Sequence, residues 1–138
     1  MRPEDFIPHR PPFLLVDEVT DIVEGKWAKG HWTPRADLDV FRGHFPEIPV
    51  LPGVYMVEAL AQLGGCAVAT PKSHEGRMPL FGGIDRARFR RRVSPDERLD
   101  LEVEIISLRS RSGKARGVAS VGGEVACELE FMFVLADL

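Results

Sequence analysis

The sequence predicts an α+β domain spanning residues 1–138, a curved antiparallel sheet wrapped around one long hydrophobic helix, and three patterns carry that prediction. From Val54 to Ala69 the only charged side chain is Glu58, so this helix must be covered by protein on most sides. From Arg98 to Ile105 the chain alternates strictly, with Leu99, Leu101, Val103 and Ile105 on one face and Arg98, Asp100, Glu102 and Glu104 on the other. Val125, Cys127, Leu129, Phe131 and Phe133 repeat the period of two. Such strands bury one face and wet the other, and one helix fills the buried face only if the sheet bends around it.

Taken in order, Phe13 to Val23 and Lys26 to Thr33 read as strand, turn, strand about Gly25. Pro34 to Pro52, with four prolines, reads as an irregular loop. The helix starts just after Pro52 and Gly53 and should fray near Thr70, because Pro71 cannot continue it; Pro71 to Arg77 is then a polar connection. Ser112-Gly113 and Gly122-Gly123 are turn candidates, the second suited to a two-residue hairpin that needs positive φ. The total is about five to seven strands. Long strands leave long edges, and pairing an edge with a second copy hides it, so a homodimer is the physical default.

Composition narrows the function. A chain of 138 residues with 44% hydrophobic content suits one globular domain with its own core. A formal charge of -3 argues against a globally basic nucleic-acid binder. MRPEDFIPHRPPF has acidic residues and prolines where a secretory leader would be basic and then apolar, and the helix, at about sixteen apolar positions around Glu58, is short for a membrane span. A cytoplasmic protein that does not enter the membrane is expected. Cys66 and Cys127 lie in apolar contexts without a CxxC spacing and read as small buried hydrophobes. Four scattered histidines and no glycine-rich phosphate loop point away from a metal or a nucleotide cofactor.

The most informative stretch is GHFPEIPVLPGVYMVEALAQ, from Gly43 to Gln62. A carboxylate on so apolar a helix is costly unless it is paired, hydrogen-bonded or neutral. A buried carboxyl that keeps its proton is what acid catalysis requires. Gln62 stands one turn from Glu58 on the same face.

IPHRPPFLLVD (Ile7 to Asp17), GHFPEIPVLPGV (Gly43 to Val54), EALAQ (Glu58 to Gln62) and FGGIDRARFRRRV (Phe81 to Val93) closely resemble the (3R)-hydroxyacyl-[acyl-carrier-protein] dehydratases of type II fatty acid synthesis, which have the hot-dog fold. The resemblance covers essentially the whole chain, including the fourteen-residue spacing from His44 to Glu58. It implies a homodimer with joined sheets, commonly a trimer of dimers, in which His44 of one protomer faces Glu58 of the other. A sister branch that also isomerises the double bond carries aspartate at the acid position, so Glu58 points to the simple dehydratase. Three positions depart from the family pattern: Glu47 for the glycine after HFP, Arg92 for the proline of FRRPV, and Asp96 in the turn usually written PGD. Aspartate visits the left-handed region more readily than most residues.

Read this way, His44 is the base for the Cα proton, since an imidazole exchanges protons near neutral pH. Glu58 is the acid for the departing hydroxyl, and the backbone N–H groups of Gly53 and Val54 at the helix start stabilise the thioester oxygen. Gly53 lets substrate approach the backbone closely. Gln62 either orients Glu58 or is a spectator. Other roles stand beside these: His44 capping loop backbone, and Glu58 paired to an arginine. His9 is read as fixing the N-terminal segment by hydrogen bonds, and His31 and His74 as solvated. Tyr55, Met56, Leu80 and Phe81 are candidate liners of an acyl tunnel.

Arg86, Arg88, Arg90, Arg91 and Arg92 put five positive charges in seven residues of an acidic protein. In a strand, Arg86, Arg88, Arg90 and Arg92 would share a face. The resemblance implies an acidic acyl carrier protein as their partner; a solvated face balanced by nearby carboxylates is the other reading. No cofactor is expected beyond the carrier's phosphopantetheine arm. Two further functions compete with dehydration: a hot-dog acyl thioesterase, which has no need of His44, and a non-catalytic subunit that binds acyl carrier protein.

Overall fold

A computed structural model of the protein describes residues 1–69 and 77–137. After a short 3-10 turn at Pro3–Asp5, the described chain forms β1 (Glu18–Val23), β2 (Trp27–Trp32), α1 (Val40–Gly43), α2 (Gly53–Val68), β3 (Arg77–Phe89), β4 (Leu99–Leu108), β5 (Ser112–Val121) and β6 (Glu124–Asp137). The strands pair antiparallel in one sheet of order β1-β2-β4-β5-β6-β3, which leaves β1 and β3 as its edges. Helix α2 packs against all six strands, as a sheet wrapped around it requires.

The alternation in β4 behaves as its sequence says, with Leu99, Leu101 and Val103 buried and Asp100, Glu102 and Glu104 exposed. On β6, Leu129, Phe131 and Phe133 are buried as expected, but Val125 is not. Ala119 pairs with Cys127 while Ser120 pairs with Val125, so Ala126 is an extra residue in the ladder and takes the inward place. Helix and sheet approach closely where β5 offers small residues: a Cβ on Gly117 would lie 3.2 Å from Leu60 Cβ.

Gly122 and Gly123 have φ of 56° and 84° and close the β5–β6 hairpin, as predicted. Ser112-Gly113 is not a turn. Both residues belong to β5, and the reversal lies before them, where the Arg109 N–H donates to the Ser112 carbonyl. Nor does the first strand begin at Phe13. Residues 13–17 lie outside β1 because the Phe13 carbonyl and the Leu15 N–H are both taken by the Gln62 side chain.

The proline-rich loop also contains one regular element that was not expected. No proline falls between Pro34 and Pro46, which leaves room for α1, and Phe41 on it is buried in the core. The predicted connection at Pro71–Arg77 and His74 lie outside the described residues, except that Arg77 opens β3. No helix of the described residues is long and apolar enough to cross a membrane. Both thiols are buried and free, and burial pushes Cys66 up to about 12 and Cys127 up to about 11.

Candidate active site

Two clefts flank β3, one at each end. The loop before α2 builds the first. Leu51 donates its N–H to the Val93 carbonyl at 2.8 Å, and both side chains are buried, so the loop is tied to the chain that follows β3. His44 and Val50 are joined twice, by the Val50 N–H on the His44 carbonyl (2.8 Å) and by His44 Nδ1 at 2.7 Å from the Val50 carbonyl. A carbonyl only accepts, so Nδ1 carries the hydrogen, and in the neutral ring Nε2 is left with its lone pair. His44 lines this cleft with Gly53, Val54, Met56 and Phe89. The first turn of α2 has no side-chain cap, and since the Tyr55 N–H donates to the Pro52 carbonyl, the N–H groups of Gly53 and Val54 are the ones left to a ligand there.

Glu58 lines the second cleft, beside Pro79, Leu80 and Phe81 at the other end of β3. Its side chain is 21% exposed, because the cleft opens onto it, and so it is less enclosed than the helix composition suggested. Gln62 is 1% exposed and holds it: Nε2 donates to Glu58 Oε1 at 3.1 Å and to the Phe13 carbonyl at 2.8 Å, while Oε1 accepts the Leu15 N–H at 2.8 Å. The hydrogen bond by which Gln62 would orient Glu58 is thus present. Gln62→Leu should strand the buried Leu15 N–H and the part-buried Phe13 carbonyl and cost about 1–3 kcal/mol in urea denaturation. A loss no larger than the roughly 0.5 kcal/mol of an ordinary surface change would show that the network carries no weight.

The family model for the FabA-like domain matches residues 7–130. The chain belongs to the FabA-like family. It is 50% identical over 134 residues to the 3-hydroxyacyl-[acyl-carrier-protein] dehydratase FabZ of Bacillus subtilis, covering 97% of this chain and 95% of that one. To the FabZ of Geobacillus thermodenitrificans it is 51% identical over 131 residues, covering 95% and 90% of the two chains. Among solved structures, the dehydratase heterocomplex ApeI:P from Xenorhabdus doucetiae superposes with a TM-score of 0.79 at 17% identity, covering 99% of this chain and 92% of that one. The architecture is the hot-dog fold.

Two histidines of this FabA-like chain stand elsewhere than expected. His9 lines the Glu58 cleft, with Nε2 3.8 Å from Glu58 Oε1, and its buried Nδ1 makes no hydrogen bond among the described residues. Its ring thus does not fix the N-terminal segment by hydrogen bonds; it forms part of the wall at the carboxyl. The signal was its place in the PHRPPF motif. His31 is not solvated either, since the β1–β2 register sets it opposite Glu18, with Nε2 3.4 Å from Oε2.

Gly53 has a second purpose. A Cβ there would lie 2.7 Å from the Phe89 ring, so the glycine makes room for Phe89 over the helix start. Of the proposed tunnel liners, Leu80 and Phe81 line the Glu58 cleft and Met56 the His44 cleft, while Tyr55 packs half-buried against the core. Asp96 has the positive φ expected of the turn, 67°.

The arginine run is not one patch. The β3–β6 register shifts between Asp85 and Arg88, and β3 ends at Phe89, so the strand alternation does not reach from Arg86 to Arg92. Arg90 binds Glu128, and Arg91 grips Glu97 with two bonds of 2.9 and 3.1 Å and Glu124 with a third. The predicted balance by carboxylates is thus met at Arg90 and Arg91. Arg86, Arg88 and Arg92 are exposed and ion-pair with no carboxylate among the described residues; Arg90, Arg91 and Arg92 line the His44 cleft.

The Arg91 guanidinium and the Ser94 N–H hold the Glu97 carboxyl down at about 2. A group lowered in the folded state stabilises fully above its ordinary value of 4.5 and loses that contribution as pH falls toward 2. Thermal melts of wild type and Glu97→Gln should therefore differ most at neutral pH and converge through this acid window. A gap that stays constant with pH would contradict the clamp.

Proposed function

We propose that this chain is a 3-hydroxyacyl-[acyl-carrier-protein] dehydratase whose active site is completed by a second copy of itself. It removes water from (3R)-hydroxyacyl thioesters to leave trans-2-enoyl thioesters in fatty acid biosynthesis. The observation that carries the reading is the placement of the two proton-transfer groups, His44 and Glu58, in separate clefts at opposite ends of the free edge strand β3.

That edge carries exposed Leu80, Phe81, Ile84 and Phe89, with Val54 exposed nearby at the helix start. An apolar free edge of this length invites antiparallel pairing with a second copy. A two-fold axis through its middle sets the Pro79–Phe81 end of one strand against the Phe89 end of the other. Each Glu58 cleft then adjoins the partner's His44 cleft.

In the assembled site, His44 Nε2 takes the Cα proton while the uncapped N–H groups of Gly53 and Val54 hold the thioester oxygen. The electron pair left at Cα forms the double bond as the C3–O bond breaks, and the partner's Glu58 supplies the proton with which the hydroxyl leaves as water. The acyl group arrives on the phosphopantetheine arm of an acyl carrier protein, and no other cofactor enters the chemistry. Arg86, Arg88 and Arg92 are the arginines whose charge is open to an acidic carrier. The two buried free thiols suit a cytoplasmic setting.

Wild-type enzyme given a (3R)-hydroxyacyl thioester, with enoyl absorbance and free thiol followed together, should gain enoyl signal and release no thiol. Thiol release would move the chain to the thioesterases. Silence in both channels with carrier-bound substrate would make it a binding subunit.

A further inference from the structure

We propose that Phe133, seated over Gly113, is the end wall of the acyl cleft and sets the chain length the enzyme accepts. The inference rests on the reading that the Glu58 cleft holds the acyl chain.

The cleft is polar at one side, where His9, Glu58 and Gln62 stand, and apolar beyond, where β3 and β6 supply aromatic rings. Three of these rings form a series. Phe81, 41% exposed, lies edge-on to Phe131 with centroids 5.9 Å apart, and Phe131 lies 6.5 Å from Phe133. Phe131 and Phe133 are both buried, while Phe81, which pairs with Phe133 in the β3–β6 register, stands at the open side, so the two β6 rings close the inner side of the cleft. In the single chain the cavity in front of these walls is narrow, about 40 Å³, so the position of each ring decides how much chain it admits. The acid-bearing side fixes the reacting carbons, and the tail of the chain extends toward the rings.

Phe133 is the ring whose position a neighbour decides. Gly113 is its partner in the β5–β6 register. A Cβ on Gly113 would meet Phe133 Cε1 at 2.8 Å and Cζ closer still, and the Ser107 carbonyl oxygen at 2.9 Å. The ring thus occupies the space that any other residue at 113 would need. Gly113 also faces inward on β5, in line with buried Ala115 and Ala119, so a side chain added there has no outward path. It must displace the ring as well as ease the backbone away from the Ser107 carbonyl, and the space beside the ring is the cleft.

The test is kcat/KM for wild type, Gly113→Ala and Phe133→Leu across a graded series of 3-hydroxyacyl chains on the carrier, from butyryl upward. Gly113→Ala should shift the optimum to shorter chains and Phe133→Leu to longer ones, by about fourfold in kcat/KM for each methylene excluded or admitted. In the double variant, Gly113→Ala should lose its effect, since the ring it displaces is gone. Phe133→Leu removes volume and carries the test even where Gly113→Ala does not fold. A Phe133→Leu enzyme that melts cooperatively and keeps the wild-type length profile overturns the inference. Glu58→Gln in the same series separates the two readings. If it turns over like wild type, the cleft is not the reaction site and the inference falls with that reading; if it is inactive while Phe133→Leu leaves the profile flat, the end-wall assignment alone falls.

Discussion

Glu58→Gln and His44→Ala should each lower turnover of a (3R)-hydroxyacyl thioester by about 10²- to 10⁴-fold, the range a positioned proton-transfer group supplies. Glu58→Gln is the sharper probe. The carbonyl oxygen of glutamine can still accept the Gln62 Nε2 hydrogen bond that Glu58 Oε1 accepts at 3.1 Å, and the Gln62 bonds to Phe13 and Leu15 are untouched. Shape and network are kept and the transferable proton is lost. Thermal melts should therefore match wild type while the rate collapses. His44→Ala also removes the Nδ1 contact to the Val50 carbonyl, so part of its loss is loop order; the Val50 N–H bond to the His44 carbonyl remains because it is backbone. Turnover near wild type in either folded variant would end the assignment.

What the sequence made legible was local. His44 and Glu58 are separated by a short stiff loop and one helix start, so their spacing determined which cleft each could reach. Gln62 follows Glu58 by one helical turn, and its bond to that carboxyl needs nothing beyond α2. The other two Gln62 bonds cross 47 and 49 residues, and they are why Phe13 to Asp17 failed as a strand despite its apolar, β-rich composition. His9 likewise reaches Glu58 through the folding of the N-terminal segment, which no periodicity encodes. The arginines looked like a free basic stripe because their neutralisers, Glu97, Glu124 and Glu128, arrive from the turn before β4 and from β6. Val125 was misplaced by a single extra ladder residue, and a bulge of that kind reverses the face of every residue on its far side.

The proposed dimer makes a prediction that activity in either variant alone does not. His44→Ala and Glu58→Gln homodimers each lack one group at both sites, so each should be inactive on its own. Unfolded together and refolded, or co-expressed with different tags, the two chains combine at random, and half of the dimers are mixed. In a mixed dimer of the proposed kind one site would carry both substitutions and the other neither, because each site would take its His44 from one chain and its Glu58 from the other. About a quarter of all sites is then intact, and the mixture should regain about that fraction of wild-type turnover. If both groups instead acted within one chain, every site would lack one of them in every dimer, and mixing would restore nothing. The contrast between about a quarter and a residual of 10⁻² or less is large enough to read in a single assay. It depends on β3 pairing across the two-fold, so a charge placed in the exposed middle of that edge, as in Ile84→Asp, should abolish the rescue together with the dimer. Rescue that survived in the Ile84→Asp background would place the complementing contact somewhere other than β3.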